Sequence, residues 1–129
     1  MEEAFRALLK ADAGVTALAG ARIDFGAASD TSGPYLVLWT IGDGAGRTLT
    51  GSDGLSRGRV QVDCYAVSYA AAKRLSRAVR AALDTHRGGG FRAIFHDATR
   101  DTREGGNNEA ELPFRISLDF LTYWRADHA

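Results

Sequence analysis

The first stretch whose composition suggests chemistry is GDGAGRTLTGSDG, residues 42–54. Glycine-rich loops hold phosphates when a helix starts directly after them, because the helix supplies backbone N–H groups and the positive end of its dipole. Here the next residues, LSRGRVQVDCY, have the alternation of a strand, so no helix follows to support a phosphate site. A calcium site is not indicated either, because Asp43 and Asp53 do not form the series of alternating acidic residues that a calcium-binding loop needs. We therefore interpret 42–54 as a long connection between two strands that a partner orders.

A second possibility is a small enzyme that uses His96 and Asp97, because neighbouring imidazole and carboxylate groups can exchange protons with a substrate. The three histidines have no HxH or HxxxH spacing and the chain has no CxxC, so we predict no metal and no cofactor.

Cys64 is the one cysteine and alternates with apolar residues, without a histidine nearby. We interpret it as a core residue.

The elements that position these residues follow from hydrophobic periodicity. Helical spacing predicts a helix over residues 2–12, one further turn over 15–18, and a long helix over 69–84. The glycines 88–90 end the segment that contains this long helix. Period-two alternation predicts strands over residues 22–25, 34–41, 57–67, 91–100 and from 114 onward, with a polar turn over 101–111. The order α-β-β-β-α-β-β predicts one α+β domain, residues 1–129, with a mostly antiparallel sheet and the helices on one face.

The faces of the predicted strands differ in character. The strand over 34–41 is apolar on both faces, which is typical of a strand covered on two sides. Arg59 and Asp63 lie on the polar face of the third strand, and Arg115 and Asp119 on that of the last. If these strands pair, the charges form a cross-strand ladder, either within one chain or between subunits. The basic residues of the long helix are interpreted as a solvated face.

Composition narrows the possible functions. The 129 residues include sixteen acidic and sixteen basic side chains, so the net charge is zero and no general attraction for polyanions follows. The apolar fraction of 45% is that of a soluble globular protein. The first residues, MEEAFRALL, lack the basic and apolar regions of a signal peptide, so we expect none, and the longest apolar run, residues 35–39, is too short to span a membrane. We expect a protein made in the cytoplasm.

The order of segments carries a resemblance. AGARID is followed by PYLVLW, by the glycine-rich TLTGSDGL, by RVQVDCYA with the helix YAAAKRLSRAVRAAL, and finally by FRISLDFLTYWR. Over nearly its whole length the chain resembles the tail-completion, or tail-terminator, proteins of long-tailed phages and phage-derived gene transfer agents. The segments 59–66 and 114–125 carry most of that resemblance.

The resemblance implies a structural virion protein and no enzyme. Such proteins form a ring, hexameric in known relatives, that caps the head-proximal end of the tail tube, ends tube polymerisation and joins the tail to neck or head-completion proteins. The ring assembles in the bacterial cytoplasm and leaves a channel through which DNA passes. Another neck or head–tail connector role in the same particle remains the alternative. The candidate interface residues are Arg47, Thr48, Leu49, Asp53, Arg57, Arg59, Asp63, Arg115 and Asp119.

Overall fold

The computed structural model describes residues 1–28, 30–48, 51–103 and 114–125; side chains are not described for residues 42–48, 51–56, 102, 103 and 125. The described part contains three helices and five strands in the order α-α-β-β-β-α-β-β. The helices are α1 (Glu2–Ala11), α2 (Ala13–Ala19) and α3 (Tyr69–Leu83). The strands are β1 (Ile23–Phe25), β2 (Tyr35–Thr48), β3 (Gly51–Ala66), β4 (Phe91–Arg103) and β5 (Phe114–Arg125).

The predicted α+β class is confirmed, with one more helix than the sequence suggested. Asp12 has extended backbone angles between α1 and α2, and its carboxylate accepts a hydrogen bond from the backbone N–H of Val15 at 3.0 Å. Asp12 is therefore the N-cap of a separate helix, where the sequence predicted one added turn. Ser68 caps α3 in the same way, by accepting from the N–H of Ala71 at 3.1 Å.

One five-stranded sheet organises the chain, in the strand order β1-β2-β3-β5-β4. β1 runs parallel to β2, and the other neighbouring strands are antiparallel, as predicted for most of the sheet. The helices pack on one face, where they meet the fully buried side chains of Leu38, Val62 and Phe120. Among the described residues, none of the helices is both long and apolar enough to cross a membrane.

The interpretation of residues 42–54 as a long connection is wrong for every part of it that the structure describes. β2 continues to Thr48, β3 starts at Gly51, and the two strands pair from Tyr35↔Tyr65 to Thr48↔Gly51. The sequence concealed these strands because glycine gives no alternation signal, whereas backbone pairing needs no side chain. We call residues 42–48 with 51–57 the β2–β3 ribbon.

Two register shifts interrupt the β2–β3 pairing, between Thr40 and Gly42 and between Ala45 and Arg47. Such bulges increase local twist and redirect a strand.

β4 also continues past its predicted end, through residues 101–103, since it remains paired with β5 up to Arg103↔Phe114. Most of the predicted polar turn, residues 104–111, lies outside the described residues.

Candidate functional site

The face of the sheet opposite the helices, here called the open face, carries most of the candidate interface residues. Val60, Val62 and Cys64 point to the helices, so the residues between them on β3 point the other way. The open face includes Tyr35, Val37 and Trp39 of β2; Arg57, Arg59, Gln61, Asp63 and Tyr65 of β3; Arg115, Ser117 and Asp119 of β5; and Asp97 and Arg100 of β4.

Asp63 is the centre of a polar network on this face and is only 2% exposed. Its carboxylate accepts hydrogen bonds from Ser117 Oγ at 2.6 Å, Gln61 Nε2 at 2.7 Å and Trp39 Nε1 at 3.0 Å. A buried carboxylate is stable only when hydrogen bonds replace its water. The alternation of β3 predicted that Asp63 would lie opposite the core; its burial comes from neighbours on β2 and β5.

The network continues through Gln61 to a group of ion pairs. Arg100 donates to Gln61 Oε1 at 3.1 Å and to both carboxylate oxygens of Asp119, at 3.0 and 3.2 Å. Arg59 lies 3.9 Å from Asp119 and donates to Asp97 at 2.6 Å. The hydrogen bond to Asp97 raises the pKa of Arg59 further above its already high ordinary value.

The predicted cross-strand ladder is present in part. β3 and β5 pair in the register Gln61↔Asp119 and Asp63↔Ser117, which places Arg59 diagonally opposite Asp119, and those two charges meet. Asp63 lies diagonally opposite Arg115 in the same register. The ladder thus extends into β4 through Arg100, which carried no distinguishing signal in the sequence because it is one of many scattered arginines.

The other candidate interface residues lie on or near the β2–β3 ribbon, as does Arg57 at the ribbon end of the open face. Arg47 pairs with Ser52 and Thr48 pairs with Gly51, and Asp53 follows on β3, but their side chains are outside the described part. Leu49 lies outside the described residues altogether. Arg57 is exposed, between Gly44 of β2 and Tyr123 of β5. Whether these residues contact a partner stays a prediction.

The structure does not bring His96 and Asp97 together. β4 pairs through His96↔Phe120 and then Ala98↔Asp119, so Asp97 is the extra residue of a bulge. The ring of His96 lies on the helix side, with its centroid 5.7 Å from that of Phe120, whereas Asp97 binds Arg59 on the open face. An acid–base pair would need both groups on one face.

Cys64 is confirmed as a core residue. Its side chain is fully buried on the helix side of β3. Burial raises the pKa of the thiol strongly, and the negative charge of adjacent Asp63 raises it further, so the thiolate needed for nucleophilic attack does not form at neutral pH. Within the described ranges, no three His, Cys, Asp or Glu side chains are grouped so that they could hold a metal ion.

An aromatic pocket lies beside the polar network on the open face. The rings of Tyr35 and Tyr65 stack with centroids 4.7 Å apart and an interplanar angle of 11°. Trp39 is 40% exposed, although its indole N–H is held by Asp63. These rings, Val37 and residues 26–28 line a cavity of about 330 Å³.

The prediction that β2 is covered on two sides is wrong at its far end for this single chain. Leu36 and Leu38 are buried under the helices and Val37 is buried on the open face, but Trp39 and Ile41 are 40% and 54% exposed. Both faces of this strand are apolar, as the sequence shows, but among the residues that the structure describes only the helix side is fully covered. The alternation of Tyr35, Val37 and Trp39 is the sequence signal for this pocket.

The chain thus has an α+β fold whose open face combines paired charges with aromatic rings. A family model described as "Tail completion protein gp17" matches residues 3–124, and the chain therefore belongs to this family of structural proteins of phage-like tails. A chain of the solved structure "Virion of native gene transfer agent (GTA) particle" has the same fold, with a TM-score of 0.71 and 23% identity over 96% of this chain and 93% of that one. No curated protein sequence matches the chain.

Proposed function

We propose that this protein is the tail terminator of a phage or phage-like particle. In this function, copies of the chain form a ring, with six members as in the proteins it resembles, on the head-proximal end of the tail tube. The ring ends polymerisation of the tube protein and gives neck or head-completion proteins a surface to bind. The observation that carries the proposal is the match to the tail completion family over residues 3–124.

The open face supports a function in assembly. Trp, Tyr and Arg are the residue types enriched in the central, energetically important parts of protein interfaces. The open face presents all three types, and its buried carboxylates already have partners within the chain. A partner that covers this face therefore gains contact with aromatic rings without leaving a charge unpaired.

Capping needs symmetry and no covalent chemistry. A tube grows by adding subunits to an open end, and a closed ring ends that growth when its outer surface differs from the surface of the tube protein. The zero net charge of the chain lowers the electrostatic cost of placing copies side by side. DNA then passes through the central channel of the ring.

We assign the contact with the tube or neck to the β2–β3 ribbon, which extends beyond the part of β2 paired with β1. Removing residues 44–52 shortens this ribbon and leaves the helix-side core untouched. The shortened protein should fold, as judged by circular dichroism, and should fail to bind tail tubes or neck protein in co-sedimentation. Normal particles from the shortened protein would limit the ribbon to a connecting role.

Deletion of the gene tests the proposed function directly. A missing terminator should give tails of uncontrolled length, or tails that do not join heads, in electron micrographs. Tails of normal length that remain headless, together with the protein located in the neck, would favour the alternative of a neck component.

The His96→Ala and Asp97→Ala variants should restore normal particles, and a loss of function in folded variants would revive an enzymatic role.

A further inference from the structure

The edge of the sheet at β1, here called the β1 edge, is stepped. β1 pairs with β2 only between Leu36 and Leu38, so β2 from Trp39 onward has no strand on its outer side among the residues that the structure describes. A groove of about 740 Å³ lies at this edge, between α1 and β1. The β1 edge therefore combines a short outer strand with a recess beyond the end of that strand.

The opposite edge of the sheet, formed by β4 and here called the β4 edge, is stepped in the reverse sense. Residues 84–86 lie along the first half of β4, where they bind both backbone groups of Ile94 and the N–H of His96. Backbone groups on one side of a strand recur at every second residue, and the bulge at Asp97 shifts that series by one, so it continues at Thr99. Beyond the bulge, no backbone group from the described part of the chain covers this side of β4.

The two steps lie at matching heights along the sheet. The register through β3 and β5 places Leu38 of β2 level with Thr99 of β4, and Thr40 level with His96. β1 is therefore level with the uncovered half of β4, and residues 84–86 are level with the recess beyond β1. Two copies whose sheets continue edge to edge interlock at both heights. β1 and β4 run in opposite directions, so the strands that meet are antiparallel.

The β4 edge carries a basic stripe on α3. Lys73 lies 3.6 Å from Asp101 of β4, and Arg80 lies 3.8 Å from Asp84, whose carboxylate binds the backbone of β4. The helical positions 73, 77, 80 and 84 share one side of α3, which therefore faces the β4 edge. Arg77 lies within this stripe and is exposed, without a hydrogen bond or ion pair to any residue that the structure describes.

The β1 edge carries carboxylates at the start of α1. The groove is lined by Glu2, Glu3 and Asp24 and by two cations, Arg6 and Lys10. Arg6 is held within the chain, because it lies 3.2 Å from Asp24 and donates to a backbone carbonyl of β1. Lys10 lies two helical turns beyond Glu3. Glu3 is exposed and has no partner among the described residues, so the first turn of α1 presents negative charge.

These opposite charges also lie at similar heights. Thr40 Oγ donates to Glu2 Oε2 at 3.1 Å, so the first turn of α1 is level with residue 40 of β2. Asp84 ends the stripe on α3 and accepts from the N–H of His96, which is level with Thr40. When the two edges interlock, the first turn of α1 thus faces the second half of α3.

We propose that the β1 edge of one copy binds the β4 edge of the next copy, with Glu3 of α1 paired to Arg77 of α3, an inference that rests on the ring of the proposed function. The occupant is a second copy because one chain carries the matching steps and the opposite charges on opposite edges of the same sheet. Each copy uses each edge once, so the contact is head-to-tail and closes into a ring when the rotation between copies allows it.

Charge reversal tests the two halves of the contact separately. Glu3→Arg and Arg77→Glu each place like charges opposite each other, and neither residue belongs to the helix-side core. Each variant alone should weaken self-association by about 10-fold or more, measured by light scattering under conditions in which the wild type assembles. Arg74→Glu is the matched control. It makes the same charge change on an exposed position of α3 outside the stripe, and should assemble like the wild type.

Restoring the pairing gives the decisive result. In an equimolar mixture of Glu3→Arg and Arg77→Glu, the reversed α1 of one variant matches the reversed α3 of the other, and the remaining contacts are the original ones. The mixture should therefore assemble like the wild type, with the two variants alternating. A chain that carries both substitutions should also assemble on its own.

Other results overturn the inference. Normal assembly of either single variant would exclude this contact while leaving the proposed function intact, and so would a mixture and a double variant that both stay dissociated. Equal weakening by Arg74→Glu would reduce the effect to the general charge of α3 and exclude the pair. A wild type that stays monomeric, both free and on purified tail tubes, would remove the proposed function as well. Circular dichroism establishes that every variant is folded.

Discussion

The two faces of the sheet are buried by different means. On the helix side, apolar side chains from all three helices and from the strands of the sheet form one continuous core. On the open face, Asp63, Ser117 and Asp119 are buried polar residues: Ser117 donates to Asp63, Arg100 donates to Asp119, and Trp39 beside them remains 40% exposed. The helix side is thus completed within the chain, whereas the open face keeps surface available for a partner.

The largest effect is expected on the helix side. Phe5 of α1 is fully buried and its ring lies 6.2 Å from that of Phe91 and 6.4 Å from that of Phe120. Phe5→Ala should lower the free energy of unfolding by about 3–5 kcal/mol, since it removes a large apolar contact and leaves a cavity. Denaturant unfolding measures this, with Val67→Ala as the control, because Val67 is 88% exposed. Equal stabilities of the two variants would contradict the assignment of the core.

Asp63→Ala tests the open face. The change leaves three donors, on Trp39, Gln61 and Ser117, without their acceptor, and should cost about 2–3 kcal/mol of unfolding free energy. Asp97→Ala is the matched control on the same face. Its carboxylate is 40% exposed, so we expect a loss of at most about 1 kcal/mol. If both variants lose equally little, the buried network does not stabilise the fold.

A glycine pair tests how closely the end of β5 packs. Gly89 and Gly90 both have positive φ, but a Cβ on Gly90 would lie 2.5 Å from Trp124 Cη2, whereas a Cβ on Gly89 meets nothing within 4 Å. Gly90→Ala should therefore be less stable than Gly89→Ala by about 1–3 kcal/mol. The difference in their thermal midpoints measures the contact with Trp124, and identical midpoints would exclude it.

The smallest expected effect on stability comes from Cys64. Its side chain lies on the helix side, but its pKa is also affected by the charge of the preceding residue, Asp63. Its folded pKa is raised, first by burial and then by the Asp63 charge. In the unfolded chain the thiol loses its proton at about pH 8.5, whereas in the folded protein it stays neutral to higher pH. Deprotonation therefore favours the unfolded state. The contribution of the thiol to the free energy of unfolding is complete below about pH 8.5 and is lost as pH rises. At about pH 9.5, one unit above the pKa of the unfolded thiol, the free energy of unfolding should be lower by about 1.4 kcal/mol. Cys64→Ala should lack this component, and an unchanged pH slope in the variant would contradict it.

Regular side-chain patterns made much of the fold predictable. The alternation of Val60, Val62 and Cys64 identified the buried side of β3, and helical spacing identified α1 and α3. The β2–β3 ribbon was missed because its glycines carry no alternation pattern, although their backbone groups still pair between the two strands. The separation of His96 from Asp97 could have been predicted, since successive residues of a strand point to opposite faces, but the one-residue bulge at Asp97 left no signal in the sequence.

By itself, the sequence determined the class of fold, the core side of each long helix, and the polar character of one sheet face, because these depend on residue type and period within one segment. The tertiary structure alone decided that Asp63 is buried, that Arg100 joins the network, and that Tyr35, Trp39 and Tyr65 share a pocket. Each of these features needs side chains from strands that are distant in the chain. Strand order and register bring those side chains together, and neither can be read from any one segment.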